Sequence, residues 1–267
     1  MPASLAIAIV CKDNVRTIGP VLDALRGLTR AGAAGTHPPI LAVDSGSTDA
    51  TLAMLEGAGA TVVHSPWLGH VRTKQLALER AGAMGDWVLC LDSDEVVLPV
   101  LAASIRRALD VPAGATRHAG YELNRKVFYA GRLLEHAFQP EWRLRLVRAG
   151  SAAWTGHDPH DTLVLTGGST PGRLAGDLRH DSFGSVADHF AKGVGYAKLS
   201  GAQIAESGRA SVWRLLTSPG GALLKQLVVK RAFLDGWRGV VAASSTAVLA
   251  TMKHAYALEH ARAKKEP

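Results

Sequence analysis

The chain has 267 residues, 47% of them hydrophobic and 20% charged, which excludes a predominantly disordered chain and allows a sizeable core. Its 30 Lys and Arg against 23 Asp and Glu leave a formal charge of +7. The excess is localised: residues 1–208 carry 20 of each sign, whereas residues 209–267 carry 10 basic and 3 acidic side chains, which argues against a uniformly basic nucleic-acid binder and predicts a neutral body with a basic C-terminal segment.

The first half alternates strand-like and helix-like segments. Leu5–Val10 is a short apolar run, predicted to be a buried strand, and Ile18, Val21, Leu22, Leu25 and Leu28 give Val15–Leu28 a helical period. Ile40–Asp44 is a second predicted strand, leading through Ser45-Gly46-Ser47 into a helix from about Asp49 to Gly57, with Ser47 or Thr48 as its cap. Thr61–His64 is a third strand, Val71–Ala83 a helix, and Trp87–Leu91 a fourth strand that stops at Asp92-Ser93-Asp94-Glu95. Val100–Leu109 is a helix ending before Pro112. Short apolar strands alternating with helices imply a mostly parallel sheet covered on both faces, with ligands bound beyond the carboxyl ends of the strands.

From Gly120 to Leu178 the pattern changes to strands separated by loops: Tyr121–Val127, Trp142–Val147 and Thr162–Leu165. Arg143 and Arg145 alternate with Trp142, Leu144 and Leu146, which predicts a half-buried strand with a basic, solvated face. Three helices follow, Ser185–Ala205, Val212–Trp237 and Gly239–Ala263, the second interrupted by a hinge or turn at Thr217-Ser-Pro-Gly-Gly221. The longest uncharged stretch there, Gly239–Met252, has 14 residues. A helical span takes about 20. The start, Met1-Pro-Ala-Ser4, lacks the basic region of a secretory signal, so the cytoplasm is the expected compartment. Cys11 and Cys90 lie in apolar runs and are expected to be small buried hydrophobes.

The chemistry concentrates at strand ends. Asp92, Asp94 and Glu95 put three carboxylates in four residues, which repel one another unless solvated or bound to a cation. Hard divalent ions take such oxygen ligands, and Mg²⁺ commonly combines one or two carboxylates with substrate phosphates. An acidic turn capping the next helix is the plainer alternative. Asp44 ends the second strand and Asp13 follows the first, so three strand ends deliver carboxylates to one sheet edge. Taken singly, Asp13 and Asp49 read as turn or cap residues. No Gly-x-Gly-x-x-Gly follows the first strand, which disfavours a dinucleotide-dependent dehydrogenase.

Val43-Asp-Ser-Gly-Ser-Thr-Asp-Ala-Thr51 resembles the nucleotide-binding signature of family 2 glycosyltransferases, inverting enzymes with the GT-A fold, and Leu91-Asp-Ser-Asp-Glu95 resembles their metal-binding Asp-x-Asp. The phrasing is similar to the lipopolysaccharide-core branch. Further matches are Trp142-Arg-Leu-Arg-Leu-Val-Arg148, His160-Asp161, Leu178-Arg-His-Asp-Ser182, Lys192 and Tyr196-Ala197, so the likeness covers roughly residues 4–200. It implies an α/β, GT-A type fold, a Rossmann-like mixed sheet flanked by helices with a C-terminal helical segment. The implied domains are a catalytic one over residues 1–205, with a nucleotide-sugar half to about 115 and an acceptor half from about 116, and a basic amphipathic tail over 206–267.

The resemblance also implies roles. Asp44 contacts the base of a nucleotide sugar, with a UDP-sugar as the expected donor, and Asp13 lies near the base or ribose. Lys74 approaches the base or diphosphate. Asp92 and Asp94 hold a divalent metal, Mg²⁺ or Mn²⁺, and the ribose, with Asp94 the more direct ligand, and His180 completes the metal or diphosphate site. Asp161 is the candidate general base. The chain departs from the pattern at Asp13-Asn14, where Asn-Glu is usual, at Gln75, where Asn is usual, and at Asp161, which replaces a Glu.

The implied activity is metal-dependent, inverting transfer of a sugar to a glycolipid or saccharide acceptor in lipopolysaccharide-like envelope synthesis. The alternatives are a polyprenyl-phosphate sugar transferase and a non-catalytic anionic-membrane or nucleic-acid binding protein on a transferase-like body; nucleic acid is not the expected partner. Basic residues mixed with Leu, Val, Phe and Trp over 209–267 suit an interfacial helix on anionic inner-membrane lipid, which makes the protein peripheral on the inner face of that membrane. Several plainer readings stand beside these. His157, Asp158, His160 and Asp161 as a second metal cluster is disfavoured by Pro159 and its loop. Arg143, Arg145 and Arg148 are a solvated face unless the acceptor carries phosphate. Trp67 and Trp154 are more commonly packed than stacked on sugars.

Overall fold

A computed structural model of the chain describes residues 3–29, 37–111, 118–157 and 160–263. They form two compact units, Met1–Arg125 with Glu141–Asp181, and Lys126–Pro140 with Ser182–Pro267.

The first unit is a mixed sheet between helices. Its parallel strands are β1 (Leu5–Cys11), β2 (Ile40–Asp44), β3 (Thr61–His64) and β4 (Trp87–Asp92). Helices α1 (Ile18–Leu25), α2 (Thr51–Gly57) and α3 (His70–Gly82) connect them. After β4 come β5 (Glu95–Val97), α4 (Pro99–Leu109), β6 (Gly120–Tyr129), β8 (Trp142–Arg148), the hairpin β9 (Ala152–His157) and β10 (His160–Leu165), and β11 (Gly172–His180). The sheet order is β3-β2-β1-β4-β8-β6-β11-β5, with β8 antiparallel to β4. Strands buried on both faces read as continuous apolar runs, as β1, β2 and β4 do. On one face Ile7, Ile9, Leu89 and Leu91 pack with α1 and α4; on the other Ala8, Val43 and Cys90 pack with Ala77 and Leu78 of α3 and with Trp154 and Leu163 of the hairpin.

The C-terminal half of β6 belongs to the second unit, where it pairs with β7 (Arg132–Leu133). Helices α5 (Val186–Glu206), α6 (Val212–Leu224) and α7 (Trp237–Ala263) complete that unit. α7 buries mainly small residues, Gly239, Ala242, Ala243, Ser245, Ala250 and Ala257, which allows α5 to lie close. At Gly201 of α5 a Cβ would stand 2.6 Å from Tyr256 Cβ, so glycine is needed for that approach. Among the described residues no helix is long and apolar enough to cross a membrane.

The expected fold class, a mixed α/β sheet flanked by helices with a helical C-terminal segment, is the one observed. Several local expectations are corrected. Asp49 takes the Thr51 N–H at the start of α2, whereas Ser47 and Thr48 bond to Asp44 and Asp13. α6 runs through Pro219 without a break at 217–221. A proline removes one N–H and its φ is already helical, so a helix packed on a neighbour tolerates it. The irregularity comes later, in a π-helical turn at Lys225–Val229 and a left-handed Arg231. Strands β5, β9 and β11 were not expected. β11 alternates weakly and contains Gly176, whose φ of +95° and approach to the backbone of Leu101 admit only glycine.

Candidate active site

Parallel pairing puts the strand ends side by side. Cys11 is registered with Asp44, Asp44 with His64, and Val10 with Asp92. Asp13, Asp44 and Asp92 therefore stand along one edge, where ligands of open α/β sheets bind.

Asp44 and Asp13 shape the loops at that edge. Asp44 is buried; its carboxylate accepts the Gly46 and Ser47 N–H groups and the Ser47 hydroxyl, and lies 3.7 Å from His64 Nδ1. Burial alone would raise its pKa, but these hydrogen bonds outweigh burial and hold it below the ordinary carboxylate range. Asp13, exposed and at a φ of +52°, accepts the Thr48 N–H at 2.7 Å, while its own N–H goes to Ser47. Burial, then the nearby Asp44, pushes the Cys11 thiol up to about 12, so it stays protonated and inert at neutral pH.

The centre of the site is a buried ionic network. Lys74 of α3 lies on the same stripe as Ala77, Leu78 and Ala81 and is buried with them. Its Nζ is 2.7 Å from Asp92 Oδ1 and 2.8 Å from Asp161 Oδ2, and 4.8 Å from the Trp154 ring centroid. Burial opposes its charge, but the two carboxylates outweigh burial and the nearby Arg145, and its pKa is raised. Arg145 of β8 donates to both oxygens of Glu95, at 3.0 and 2.7 Å, and at 3.0 Å to Asp92 Oδ2. Glu95, fully buried, also meets Arg125 and accepts the Asp92 N–H. Burial works against the Asp92 carboxylate, yet Lys74 and then Arg145 depress its pKa. A buried ion pair needs such bidentate, fully satisfied geometry to offset desolvation.

Asp94 Oδ2 stands 3.4 Å from His180 Nε2, because β11 runs beside β5 and Asp181 donates its N–H to Asp94 O. Among the described residues no cluster of three or more metal-ligating side chains occurs. One carboxylate and one imidazole fit a divalent ion whose remaining positions are filled by phosphate oxygens and water. Asp92 is committed to Lys74 and Arg145, so it joins such a set only by exchanging partners.

The structure thus brings Lys74, Asp92 and Asp161 into one cluster and Asp94 with His180 into a second, while Asp13 and Asp44 organise the neighbouring loops. Of the disfavoured second metal cluster, Asp158 and the His160 side chain lie outside the described residues. Arg145 corrects the expectation of a solvated basic face: it is only 5% exposed, held by Glu95 and Asp92. Three acids in one turn and arginines on one strand were the available signal, since opposite charges inside an apolar sheet must meet. Gln75 accepts the Trp154 backbone N–H, tying α3 to β9, and Trp154 is packed as expected, whereas Trp67 is exposed, edge-on to His70.

The sequence model described as glycosyl transferase family 2 matches residues 6–154. An uncharacterized glycosyltransferase of Rickettsia prowazekii is 26% identical over 242 residues, 87% of this chain and 79% of that protein. The lipopolysaccharide core biosynthesis glycosyltransferase LpsC of Rhizobium meliloti is 25% identical over 257 residues, 92% of this chain and 88% of that protein. Among solved structures, glucosyl-3-phosphoglycerate synthase from Mycobacterium tuberculosis aligns over 48% of this chain and 44% of that chain, with 23% identity and a TM-score of 0.34.

Proposed function

The chain belongs to glycosyl transferase family 2 and is a glycosyltransferase, and from that premise we propose that it transfers a sugar from a nucleotide-activated donor to a glycolipid or saccharide acceptor by one inverting displacement. The observation that carries this reading is the Lys74 ammonium shared by Asp92 and Asp161, which joins a strand-end carboxylate to a carboxylate on β10. The LpsC likeness over most of both chains supports an acceptor of the lipopolysaccharide-core kind.

Each residue then has a task. Asp44 and Asp13 hold the loop that receives the base and ribose. Lys74 fixes Asp161 Oδ2 and leaves Oδ1, which has no hydrogen bond among the described residues, to accept the acceptor hydroxyl proton. The acceptor oxygen forms its bond to the anomeric carbon as the bond to the diphosphate breaks on the opposite face, and the nucleoside diphosphate leaves. Lys74 and Arg145 offset negative charge growing on that diphosphate. Asp94 and His180, with Asp92 beside them, are the residues to hold a divalent ion, Mg²⁺ or Mn²⁺, which when bound neutralises the leaving diphosphate.

Asp94→Ala is expected to abolish transfer while leaving the circular dichroism spectrum and melting temperature near wild type; unchanged turnover would sink the assignment. A screen of UDP-, GDP-, ADP- and dTDP-sugars for released nucleoside diphosphate is expected to select a UDP-sugar. The enzyme works at the inner face of the cytoplasmic membrane, touching anionic lipid through residues 209–267, a reading supported by their 10 basic against 3 acidic side chains.

A further inference from the structure

We propose that residues 212–237, α6 and the turns after it, form a wedge whose apolar stripe enters the headgroup–acyl boundary of an anionic bilayer; this rests on the membrane contact proposed above and goes beyond attraction by charge. α6 buries none of its residues. Trp213 and Leu216 are 72% and 70% exposed, and Leu224, Val229 and Trp237 are exposed as well. Side chains three and four apart share a helix face, so Trp213, Leu216, Gly220 and Leu224 form one continuous stripe. Soluble surfaces rarely expose a contiguous apolar patch of this kind without a partner.

The margin of the stripe decides what the partner is. Arg209, Arg214, Lys225, Lys230, Arg231 and Arg238 are interspersed with it along the chain, and the single acid between 209 and 238 is Asp235. That carboxylate is occupied within the unit, accepting the N–H groups of Glu135, His136 and Ala137. A second copy of the chain would set this cationic margin against itself, whereas anionic headgroups complement it. Tryptophans near both ends of the segment, Trp213 and Trp237, suit the interface, where an aromatic ring meets lipid and its N–H meets water. With 13 residues α6 is about 20 Å long, too short to cross a bilayer and long enough to lie in its surface.

Flotation of the full-length enzyme with vesicles of phosphatidylcholine alone and of an equimolar mixture with phosphatidylglycerol tests this. The wild type should float with the anionic vesicles and keep part of that binding at high salt, because apolar burial is not screened. Trp213→Ser/Leu216→Ser should lower the partition by about tenfold or more with the helical spectrum unchanged. Lys225→Gln/Lys230→Gln should weaken binding and flatten its salt dependence. Equal flotation of the folded Trp213→Ser/Leu216→Ser variant overturns the wedge and leaves the membrane contact standing, whereas a wild type that never floats sinks both. Complete release by salt also overturns the wedge, as does a wild-type dimer that this variant dissociates. If the double variant fails to fold, quenching by brominated lipid decides: it must fall in Trp213→Phe, and an unchanged quench refutes insertion. Donor turnover without acceptor is read in parallel, so that failure of the enzymatic assignment is seen separately.

Discussion

The two units break the usual inside–outside rule in opposite directions. In the first, ionised groups are inside: Glu95, Arg145 and Lys74 are buried and satisfied by one another. In the second, large apolar groups are outside, with Trp213, Leu216 and Val229 largely in solvent, while the core beneath them combines the alanines of α7 with Val127, Tyr129 and Leu134. Each departure costs free energy, and each is concentrated rather than scattered. The buried charges gather at the strand ends where a charged substrate would be handled. Most of the second unit's exposed large apolar groups lie on α6 and its following turns, with Tyr196 and Leu199 of α5 and Val240 and Val248 of α7 outside that set. A fold keeps such features where they act on something outside the chain.

That contrast can be broken most sharply at the proposed base, Asp161. Asp161→Asn preserves shape but removes the carboxylate proposed as proton acceptor and one ionic partner of Lys74; turnover should fall by about 10²–10⁴-fold with nucleotide binding nearly unchanged. Wild-type kcat in this variant would show that the network serves stability alone. Next, Arg145→Ala takes from buried Glu95 its bidentate partner, leaving it Arg125 at 3.3 Å, and should cost about 2–4 kcal/mol in denaturant unfolding. A loss below about 1 kcal/mol would mean that Arg125 alone compensates Glu95.

Acid should separate the units. Burial lowers the pKa of His189 against a smaller opposing pull from Asp188, and burial with the charges of Lys253 and Arg214 lowers that of His254. The unfolded chain then binds more protons than the folded one below about pH 6.5, so the second unit loses stability as the pH falls from there towards the folded-state values. In the first unit Asp44 and Glu141 have depressed values, so their contribution persists above the unfolded carboxylate range and fades only below about pH 4. Amide exchange at about pH 5, corrected for intrinsic rates, should therefore show lost protection in α5 and α7 before β1 and β4. Simultaneous loss in both would contradict the ordering. The smallest effect belongs to the stripe: Leu216→Ser should change stability by no more than about 0.5 kcal/mol, against about 2–5 kcal/mol for Leu89→Ala in the sheet. A larger change at Leu216 would show that it packs in solution.

Legibility followed from how local each determinant was. β1, β2 and β4 are uninterrupted apolar runs, and the stripe of Ala77, Leu78 and Ala81 in α3 has a clean helical period, so their existence could be read residue by residue. β5, with three residues, and β11, with Arg, Gly and Asp inside it, carry too little local pattern. Their pairing depends on partners far away in the chain, Leu178 with Val97 and His180 with Glu95. At the site, Asp44 and Asp92 were visible because strand ends face ligands. Arg145 was not, because alternation on one strand reports a face and not what covers it; α3 and the β9–β10 hairpin cover this one.

The sequence by itself determined the alternating α/β body, the carboxylates at its strand ends, the burial of the two cysteines and the confinement of net charge to the last 59 residues, because each depends on neighbours a few positions apart. Tertiary structure decided which charges meet. Lys74 and Asp161 are separated by 87 positions, Arg145 and Glu95 by 50, and their pairing exists only because the sheet order sets β8 beside β4 and α3 packs against the hairpin. It also decided that α6 presents an apolar stripe outward: small residues on α7 let α5 lie close, and α6 packs on the unit through partly buried residues such as Leu223 while Trp213 and Leu216 stay exposed. Coulombic pairing and packing act through space, so they become visible only when the chain has closed on itself.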